Sequence, residues 1–513
     1  MKRNTIYKLC IAGLMAVSLS LLPMSCGKFD QEPQGEWVDG DLSSGSLEGD
    51  VFSLYGKMRS SNINAGNVAM AVHSFRSEDA EKGSTASDKP EHGEMYDNFN
   101  YTATNSLLSQ YYTGNFEMVH AANTAINRYN QIDSSRLTDG DKINNGELHF
   151  FRAFAYFNLV RAFGEVPLFD YAVKSREEAI APKVKVEEIY KLIDADLTIA
   201  EASLPQRWDA MFVGRLTWGA ARALHARTYM MRNDWEKMHK AATDVINSGI
   251  YNLSTPFNEI FREKGENNAG SILEVQCTAN DAMKQSGDIG SQFAQVQGVR
   301  GAGEWDLGWG WNCPTQLLAD AFEAGDPRKD ETLLYFLRPG DDPNSIPANT
   351  PYGEKPIAQS PVVSKYFNKK AYTDPELRKK YSRFGYWFNI RLIRYSDVLL
   401  MAAEAANELG NSTEALNYLE QVRARARGNN SSVLPRVTTT NQSELRDAIR
   451  HERRVELAME YDRFYDLVRW GIDEEVLHRA GKANYNRAKH RYLPLPQTEV
   501  DRSNGVLKQL DGY

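Results

Sequence analysis

The chain has 513 residues, of which 42% are hydrophobic and 25% are charged, so it can bury a large core and is neither a disordered chain nor a small disulfide-stapled domain. Its 68 acidic residues outnumber its 60 basic residues and give a formal net charge of -8, which lacks the basic footprint of a nucleic-acid-binding protein. The four cysteines form no CxxC pair and no Cys/His cluster with metal-ligand spacing, which excludes a zinc-stabilised fold.

Residues 1–25 have the pattern of an export signal. Three cations precede a mostly apolar run, residues 9–24, that is shorter than a comfortable membrane span. A small residue stands just before Cys26, as in bacterial lipoprotein signals that are cleaved ahead of a lipid-modified cysteine. We therefore predict that Cys26 becomes the lipidated N-terminus. Pro23 replaces the leucine of such signals, and ordinary cleavage nearby is the alternative.

The next segment, residues 26–49, is rich in glycine and acidic residues and has no sustained helical period, which predicts a tether. We expect residues 50–513 to form a single domain. Loss of the signal removes three positive charges and no negative ones, so the net charge changes from -8 to -11. The sequence leaves open whether Cys277 and Cys313 form a disulfide or remain two buried thiols.

Helical pairs are predicted to form the frame of the domain. Apolar residues at three- and four-residue steps predict a packed helix over 147–163. A helical hairpin is predicted over 215–246, and a second hairpin of the same type over 393–425, with small residues that let the paired helices approach closely, as in tetratricopeptide units. About 140 residues separate the two copies, so the frame carries one long insertion.

That insertion, about 252–389, contains glycine-rich stretches, several prolines and one strand candidate at 271–276. Long irregular segments in a compact protein are usually binding loops, and the many aromatic residues here argue against disorder. A second irregular zone covers residues 64–106. The sequence therefore offers two loop regions as places for a ligand site.

Motifs for catalysis are missing. The chain has no HExxH motif, no GxSxG elbow, no P-loop and no GxGxxG after a strand. The charged run 451–460 places Glu452, Glu456 and Glu460 on one helix face. An acid–base cluster is one interpretation of this run, but we favour a salt-bridged structural helix, because opposite charges at helical spacing commonly neutralise each other. The sequence identifies no catalytic, cofactor-binding or metal-binding residue.

Three tryptophans, at positions 305, 309 and 311, stand among glycines in the insertion. A flat indole gains dispersion and CH–π attraction from the apolar face of a sugar ring, while neighbouring polar side chains bond the hydroxyl groups. We predict that Trp305 is a stacking platform and that Trp309 also contacts the ligand. The alternative is that these rings fold under the loop, above all Trp309 and Trp311.

The other irregular zone supplies the remaining ligand-binding candidates. Tyr101 and Phe99 are predicted as second aromatic contacts. Arg76, Asp79 and Asn100 are predicted to bond the hydroxyl groups of the ligand.

A series of short sequence blocks, spread along the chain, carries a family resemblance. The blocks are FFRAFAYFNLV at 150–160, FGEVPL at 163–168, GRLT at 214–217, IRYSDVLLMAAEA at 393–405, ERRVELA at 452–458, RFYDL at 463–467, LPLPQTEV at 493–500 and the terminal GY at 512–513. In this order they resemble the SusD/RagB family of outer-membrane nutrient-binding lipoproteins over nearly the full length of the chain.

The resemblance implies a mainly α fold, with four tetratricopeptide-type helical pairs in a superhelical scaffold and a loop-rich insertion that carries short strands. It also implies a lipid anchor in the outer membrane of a Bacteroidota-type cell, with the protein facing the exterior. The implied partner is a TonB-dependent SusC-like transporter, on which such proteins sit as a hinged lid. Because ligand contacts vary within this family, the resemblance assigns no binding residue.

We therefore predict a cell-surface lipoprotein that is not an enzyme, uses no cofactor, and captures oligosaccharides or polysaccharides for a SusC-like transporter. A RagB-type protein that captures peptides is the main alternative, since extended peptides can place side chains in aromatic pockets. An enzyme and a pure scaffold are less favoured.

Overall fold

The computed structural model describes most of the chain after residue 45. The described residues are 46–88, 92–338, 340–342, 344–355, 357–358 and 360–513. The predicted export signal, the predicted lipidation of Cys26 and the predicted tether up to residue 45 lie outside them. Glu48 and Gly49, which the sequence assigned to the tether, already belong to the first helix.

Helices dominate the described residues, which confirms the mainly α fold class. The helices are α1 (Glu48–Met58), α2 (Asn67–His73), α3 (Glu94–Asp97), α4 (Ser106–Tyr129), α5 (Asp139–Phe163), α6 (Val186–Ser203), α7 (Trp218–Met231), α8 (Trp235–Asn247), α9 (Phe257–Ile260), α10 (Phe293–Gln297), α11 (Gln316–Ala321), α12 (Pro327–Thr332), α13 (Pro375–Lys380), α14 (Tyr395–Glu408), α15 (Ser412–Arg427), α16 (Gln442–Glu456), α17 (Arg463–Trp470), α18 (Asp473–Arg479), α19 (Arg487–His490) and α20 (Gln497–Arg502). The strands are β1 (Ala80–Gly83), β2 (Ser271–Val275), β3 (Trp311–Pro314), β4 (Leu333–Leu334), β5 (Phe367–Asn368) and β6 (Ile390–Arg394). None of these helices is long and apolar enough to cross a bilayer.

Local sequence signals set the ends of the long helix α5. A capping box opens it: the side-chain oxygen of Thr138 accepts the amide of Asp141 at 3.1 Å, and the Asp141 carboxylate accepts the amide of Thr138 at 2.9 Å. The helix ends at Gly164, whose φ of 71° favours glycine. The helix predicted over 147–163 is confirmed as part of α5.

The long helices pack against one another in chain order. Each helix from α4 to α7 packs against the next helix in the chain, so the series ends with α7 on α8. Helix α8 then packs on α14, the first helix after the insertion, and α14 packs on α15 and α16. Both predicted hairpins are confirmed, as α7 with α8 and α14 with α15. The contact between α8 and α14 therefore joins the two parts of one continuous helical frame across the insertion.

Short strand pairs fasten the insertion to the frame. Strand β2 runs antiparallel to β6, which confirms the strand predicted at 271–276 and returns the chain to the frame just before α14. Strand β1 pairs with β3, with Glu81 opposite Cys313. Strand β4 pairs with β5, with Leu334 opposite Phe367. Because β1 belongs to the first irregular zone and β3 to the insertion, the two loop regions of the sequence are neighbours.

Buried ion pairs hold α16 in place. The carboxylate of Glu456 accepts hydrogen bonds from Arg394 at 2.8 Å and from Arg425 at 2.6 Å, and all three side chains are almost completely enclosed. The structural interpretation of the charged run 451–460 is therefore confirmed. Helix α16 ends at Glu456, so Glu460 lies beyond it.

The two cysteines of the described body are both free thiols. Cys313 is buried and Cys277 is half-buried. Burial raises the pKa of each thiol to about 12, so both stay protonated near neutral pH. Of the two states that the sequence left open, the structure contains the unpaired thiols.

Candidate functional site

Trp305 lies inside a small hydrophobic core that belongs to the insertion. It ends a single 3₁₀ turn, Gly303–Trp305, and is 7% exposed. Its ring shares this core with Val299, Phe336 and Phe367. The expectation of an exposed indole platform at Trp305 therefore does not hold in this structure, because the ring packs under the loop.

The other two tryptophans of this loop also turn towards the interior. Trp311 lies in β3, is almost fully buried, and donates from Nε1 to the Asp88 carboxylate at 3.0 Å. Trp309 is half-buried against the main core. The burial alternative is therefore confirmed for Trp311, whereas Trp309 keeps part of its surface exposed.

Polar contacts join this loop to the first irregular zone. Arg300 donates to the hydroxyl of Ser84 at 2.6 Å and to the carboxylate of Asp88 at 2.7 Å. Burial acts to raise the pKa of Asp88, but hydrogen bonds from Trp311 and Ser84, together with the charge of Arg300, hold it below its usual value. Asp88 is thus ionised, and the side chains of Ser84, Arg300 and Trp311 all donate to its Oδ2 atom.

Phe99 and Tyr101 belong to an aromatic cluster inside the scaffold. The ring of Phe99 meets the ring of Tyr485 edge-on, with centroids 4.8 Å apart. The ring of Tyr101 is stacked on Tyr96, with centroids 5.0 Å apart. Both residues are buried, and burial raises the pKa of Tyr101. Their rings therefore contact other aromatic side chains and present no free face.

The three predicted polar contacts have different environments. Arg76 is completely buried, with its guanidinium 3.9 Å from the ring centroid of Phe464, and it donates to a main-chain oxygen of the C-terminal segment at 2.6 Å. Asp79 is buried in an ion pair with Arg454 at 2.5 Å. Asn100 is exposed. Burial and ion pairing thus make Arg76 and Asp79 part of the scaffold in this structure.

The residues predicted from the sequence do not form one surface. Arg76 and Tyr101 come close enough for the charge of Arg76 to act on the Tyr101 hydroxyl, but they do so inside the scaffold. Five of the predicted residues are buried: Arg76, Asp79, Phe99, Tyr101 and Trp305. Two keep exposed surface: Asn100 and Trp309. The part of Asn100 and Trp309 in ligand binding stays a prediction.

An open cleft in the insertion carries two tyrosines that the sequence analysis did not single out. It has a volume of about 500 Å³ and lies over the β4–β5 pair. Side chains alternate between the two faces of extended backbone, and Phe336 and Phe367 belong to the insertion core while the adjacent Tyr335 and Tyr366 line the cleft, to which Phe336 also contributes. The aromatic and charged residues of this tyrosine cleft are Asp330, Tyr335, Phe336, Arg338, Asp341, Lys365 and Tyr366.

Hydrogen bonds fix both tyrosine rings. Their centroids are 5.8 Å apart and their planes make an angle of 63°. The Tyr335 hydroxyl donates to Asp330 at 2.7 Å, and the Tyr366 hydroxyl donates to Gln316 at 3.1 Å. Burial and the bond to the Asp330 carboxylate raise the pKa of Tyr335, so its hydroxyl stays protonated. Both residues are half-buried, so each ring keeps exposed surface at a fixed angle.

Charged groups surround these rings. Arg338 donates from its guanidinium to the main-chain oxygen of Ser364 at 2.8 Å, and Lys365 donates to Gln316 at 3.0 Å. The carboxylate of Asp341 accepts the main-chain N–H of Arg338 at 2.7 Å. Aromatic surface with a few convergent donors and acceptors is typical of small-molecule binding sites, and it suits a hydroxylated ring.

Outside the insertion, the scaffold holds a second cavity of about 400 Å³ between α4 and α20. Phe116 and Phe169 form part of its wall, with ring centroids 6.1 Å apart. This cavity is the main competing place for a ligand. Among the described residues, no group of three or more His, Cys, Asp or Glu side chains is placed to bind a metal ion.

Comparison with known proteins gives the family. The profile described as the SusD family matches residues 269–513, and a profile described as starch-binding associating with outer membrane matches residues 51–230. SusD-like protein P2 of Formosa agariphila is 30% identical over 444 residues, which are 81% of this chain and 83% of that protein. The chain belongs to the SusD family. This result confirms the resemblance inferred from the sequence blocks.

Solved structures share the SusD fold with this chain. A laminarin-binding SusD-like protein has a TM-score of 0.74 at 24% identity, with 91% of this chain and 99% of that chain covered. Surface glycan-binding protein A from Bacteroides thetaiotaomicron, in complex with laminarihexaose, has a TM-score of 0.74 at 22% identity, with 90% and 98% covered. At these identities the likeness establishes the fold.

In this SusD-family chain, a sequence pattern marks the tyrosine cleft. The prediction from tryptophans did not use this pattern. Residues 335–336 read Tyr-Phe, and residues 366–367 read Tyr-Phe again. Each pair places one aromatic ring on each face of extended backbone. The pairing of these two segments through β4 and β5 cannot be read from the sequence, because the segments are far apart in the chain.

Proposed function

We propose that this SusD-family protein binds glycans in the tyrosine cleft. The observation that carries the proposal is the pair of half-buried rings, Tyr335 and Tyr366, set at 63° in an open cleft of about 500 Å³. The face of an aromatic ring gains dispersion and CH–π attraction from the apolar face of a sugar. The charged groups around the rings supply hydrogen bonds to the sugar hydroxyls.

Related proteins support the class of ligand. One structural relative is a laminarin-binding protein, another is in complex with laminarihexaose, and one matching family profile is described as starch-binding. We extend this class, a glycan, to the present chain. The protein would hold its ligand without catalysis and without a cofactor.

We also propose that the protein is a lipoprotein of the outer membrane. Cys26 would carry the lipid, and residues 27–45 would link the anchor to the folded body. The description of the matching profile as associating with outer membrane supports this location. Facing the cell exterior, the protein would capture oligosaccharides and deliver them to a TonB-dependent SusC-like transporter.

The residues first predicted from the sequence take different parts in this proposal. Asn100 and Trp309 are kept as ligand contacts, because both have exposed surface. Trp305 would act through packing, since it shares a core with Phe336 and Phe367, the neighbours of the two cleft tyrosines. The remaining residues would support the scaffold: Arg76, Asp79, Phe99 and Tyr101.

A glycan array followed by calorimetry tests the proposal. We expect Tyr335→Ala and Tyr366→Ala each to weaken the best ligand about fivefold, since an aromatic contact contributes about 1 kcal/mol beyond burial. Tyr418→Ala is the matched control, because Tyr418 is a half-buried tyrosine of α15, outside the insertion, whose hydroxyl also donates to a carboxylate, that of Glu414, at 2.9 Å. Thermal unfolding of each variant checks that the fold is retained.

Other outcomes would indicate a different binding site, a different class of ligand or catalysis. If Phe116→Ala weakens binding while the two tyrosine variants do not, the ligand occupies the scaffold cavity and the tyrosine cleft is the wrong site. A blank glycan array together with specific capture of peptides supports the peptide-binding alternative. Release of reducing ends from a bound polysaccharide contradicts the expectation that the protein only binds.

A further inference from the structure

Two cations of the tyrosine cleft have no carboxylate partner among the described residues. The guanidinium of Arg338 bonds to the main-chain oxygen of Ser364, and the ammonium of Lys365 bonds to the side-chain oxygen of Gln316. Both acceptors are neutral. The charges of Arg338 and Lys365 are therefore not balanced by an ion pair within the described part of the chain.

Some other cations of the insertion have a carboxylate partner. Arg378 pairs with Glu354 at 2.6 Å. Arg383 pairs with Asp306 at 2.9 Å, although both of these side chains are substantially exposed. Other cations of the insertion, such as Lys284 and Lys329, also have no ion pair among the described residues. The cleft is set apart because its two unpaired cations stand beside the half-buried rings of Tyr335 and Tyr366.

The two carboxylates of the cleft, Asp330 and Asp341, also have no ion-pair partner among the described residues, and each accepts a hydrogen bond from a neutral protein donor. Asp330 accepts the Tyr335 hydroxyl at 2.7 Å, and Asp341 accepts the main-chain N–H of Arg338 at 2.7 Å. A guanidinium has five N–H donors, and Arg338 uses one of them on the described protein atoms. The free donors of the cleft therefore lie on its positive groups.

We infer that the tyrosine cleft selects glycans that carry an anionic group, with a sugar ring on Tyr335 or Tyr366 and the anion on Arg338 and Lys365. This inference rests on the proposed function, since it names the class of glycan that the cleft takes. The carboxylate of a uronic acid and a sulfate ester share the required chemistry, because each accepts parallel N–H bonds from a guanidinium.

Calorimetry with three probes of similar length tests the inference: neutral laminarin oligosaccharides, oligogalacturonates, and sulfated carrageenan oligosaccharides. Arg338→Gln and Lys365→Gln remove the cleft charges. The matched controls are Arg136→Gln and Lys185→Gln, which remove exposed cations outside the insertion. Thermal unfolding checks the fold of each variant, and Arg338→Lys separates the charge from the shape of the guanidinium.

We expect an anionic probe to bind the wild-type protein more tightly than the neutral probe. Arg338→Gln should weaken the anionic probe about tenfold, the effect of losing one charge-assisted hydrogen bond, and should change the neutral probe less than about twofold. Added salt should weaken the anionic probe selectively, because it screens the charges. The two control variants should leave every affinity unchanged.

The outcomes separate this inference from the function on which it rests. Binding of the uronate probe alone, or of the sulfate probe alone, supports the inference and identifies the anion. Equal affinity for neutral and anionic probes, or an Arg338→Gln effect that the neutral probe shares, overturns it and leaves glycan binding intact. Failure of the wild-type protein to bind any probe or any glycan of the array overturns the proposed function instead.

Discussion

Glu456 is a buried carboxylate that contacts three guanidinium groups. It accepts hydrogen bonds from Arg394 at 2.8 Å, Arg425 at 2.6 Å and Arg328 at 3.2 Å. Burial acts to raise its pKa, but the charges of the three arginines, led by Arg425, hold the pKa well below its usual range. The carboxylate therefore stays ionised and links the insertion, α15 and α16.

We predict that Glu456→Gln lowers the free energy of unfolding by about 3 kcal/mol or more, because removing one partner of a buried ion pair leaves the other charges uncompensated. Urea denaturation measures this change. The matched control is Glu475→Gln on α18, where Glu475 pairs with Arg479 in solvent and should contribute little. Equal effects of the two substitutions would contradict the importance given to burial.

The insertion contains a small hydrophobic core of its own, beside the residues that it contributes to the main core. Trp305, Phe336 and Phe367 share this core, and the cleft tyrosines flank the adjoining β4–β5 pair. Phe336 and Phe367 have ring centroids 4.7 Å apart. Tyr335 is the chain neighbour of Phe336, and Tyr366 is the chain neighbour of Phe367, so packing of these two rings in the core sets the position of the cleft tyrosines.

We predict that Trp305→Ala lowers the free energy of unfolding by about 3 to 5 kcal/mol, because it opens a cavity in this core. Trp305→Phe, which keeps a ring in the core, should cost less. Urea denaturation and calorimetry of both variants separate packing from binding. Wild-type stability of Trp305→Ala together with lost glycan affinity would contradict this expectation and restore the indole as a stacking platform.

The helical frame was predictable from the sequence because each long helix carries its own periodic signal. The apolar period over 147–163 and the small residues of both hairpins sufficed, and the structure has helices in all three places. The ligand site was harder to predict from the sequence. Exposure of Trp305 depends on packing against Phe336 and Phe367, which are distant in the chain, and local composition does not encode that contact. Aromatic residues among glycines therefore gave a weak prediction of exposure.

Across the whole molecule, buried carboxylates on α14 connect the frame. Asp397 accepts hydrogen bonds from Arg227 of α7 and Arg453 of α16, and Glu404 accepts from Arg469 of α17 at 2.7 Å. Burial acts to raise the pKa of Asp397 and Glu404, but the paired arginines hold both below their usual values. These two carboxylates therefore depend on the folded frame for their low pKa.

Among the described residues, three carboxyl groups have the opposite tendency, since the pKa of Asp97, Glu147 and Glu266 is raised by burial. Burial raises the pKa of Asp97 to about 6 and the pKa of Glu266 to about 8. A raised carboxyl pKa favours the folded state as pH falls, and this gain is complete once the pH drops below the ordinary pKa of about 4. Below that pH, these three groups no longer change the stability, and its further change with pH depends on the carboxyl groups whose pKa is lowered.

We predict that the protein loses stability steeply as pH falls from about 4 to 2. A depressed carboxyl pKa contributes stability that is fully present above the unfolded pKa, about 4, and is lost as pH falls towards the folded value. Thermal unfolding followed by circular dichroism from pH 7 to pH 2 measures this loss. Glu456→Gln lacks one depressed carboxyl and should lose less stability over the same interval. A midpoint temperature that stays constant down to pH 2 would show that the buried ion pairs do not govern acid stability.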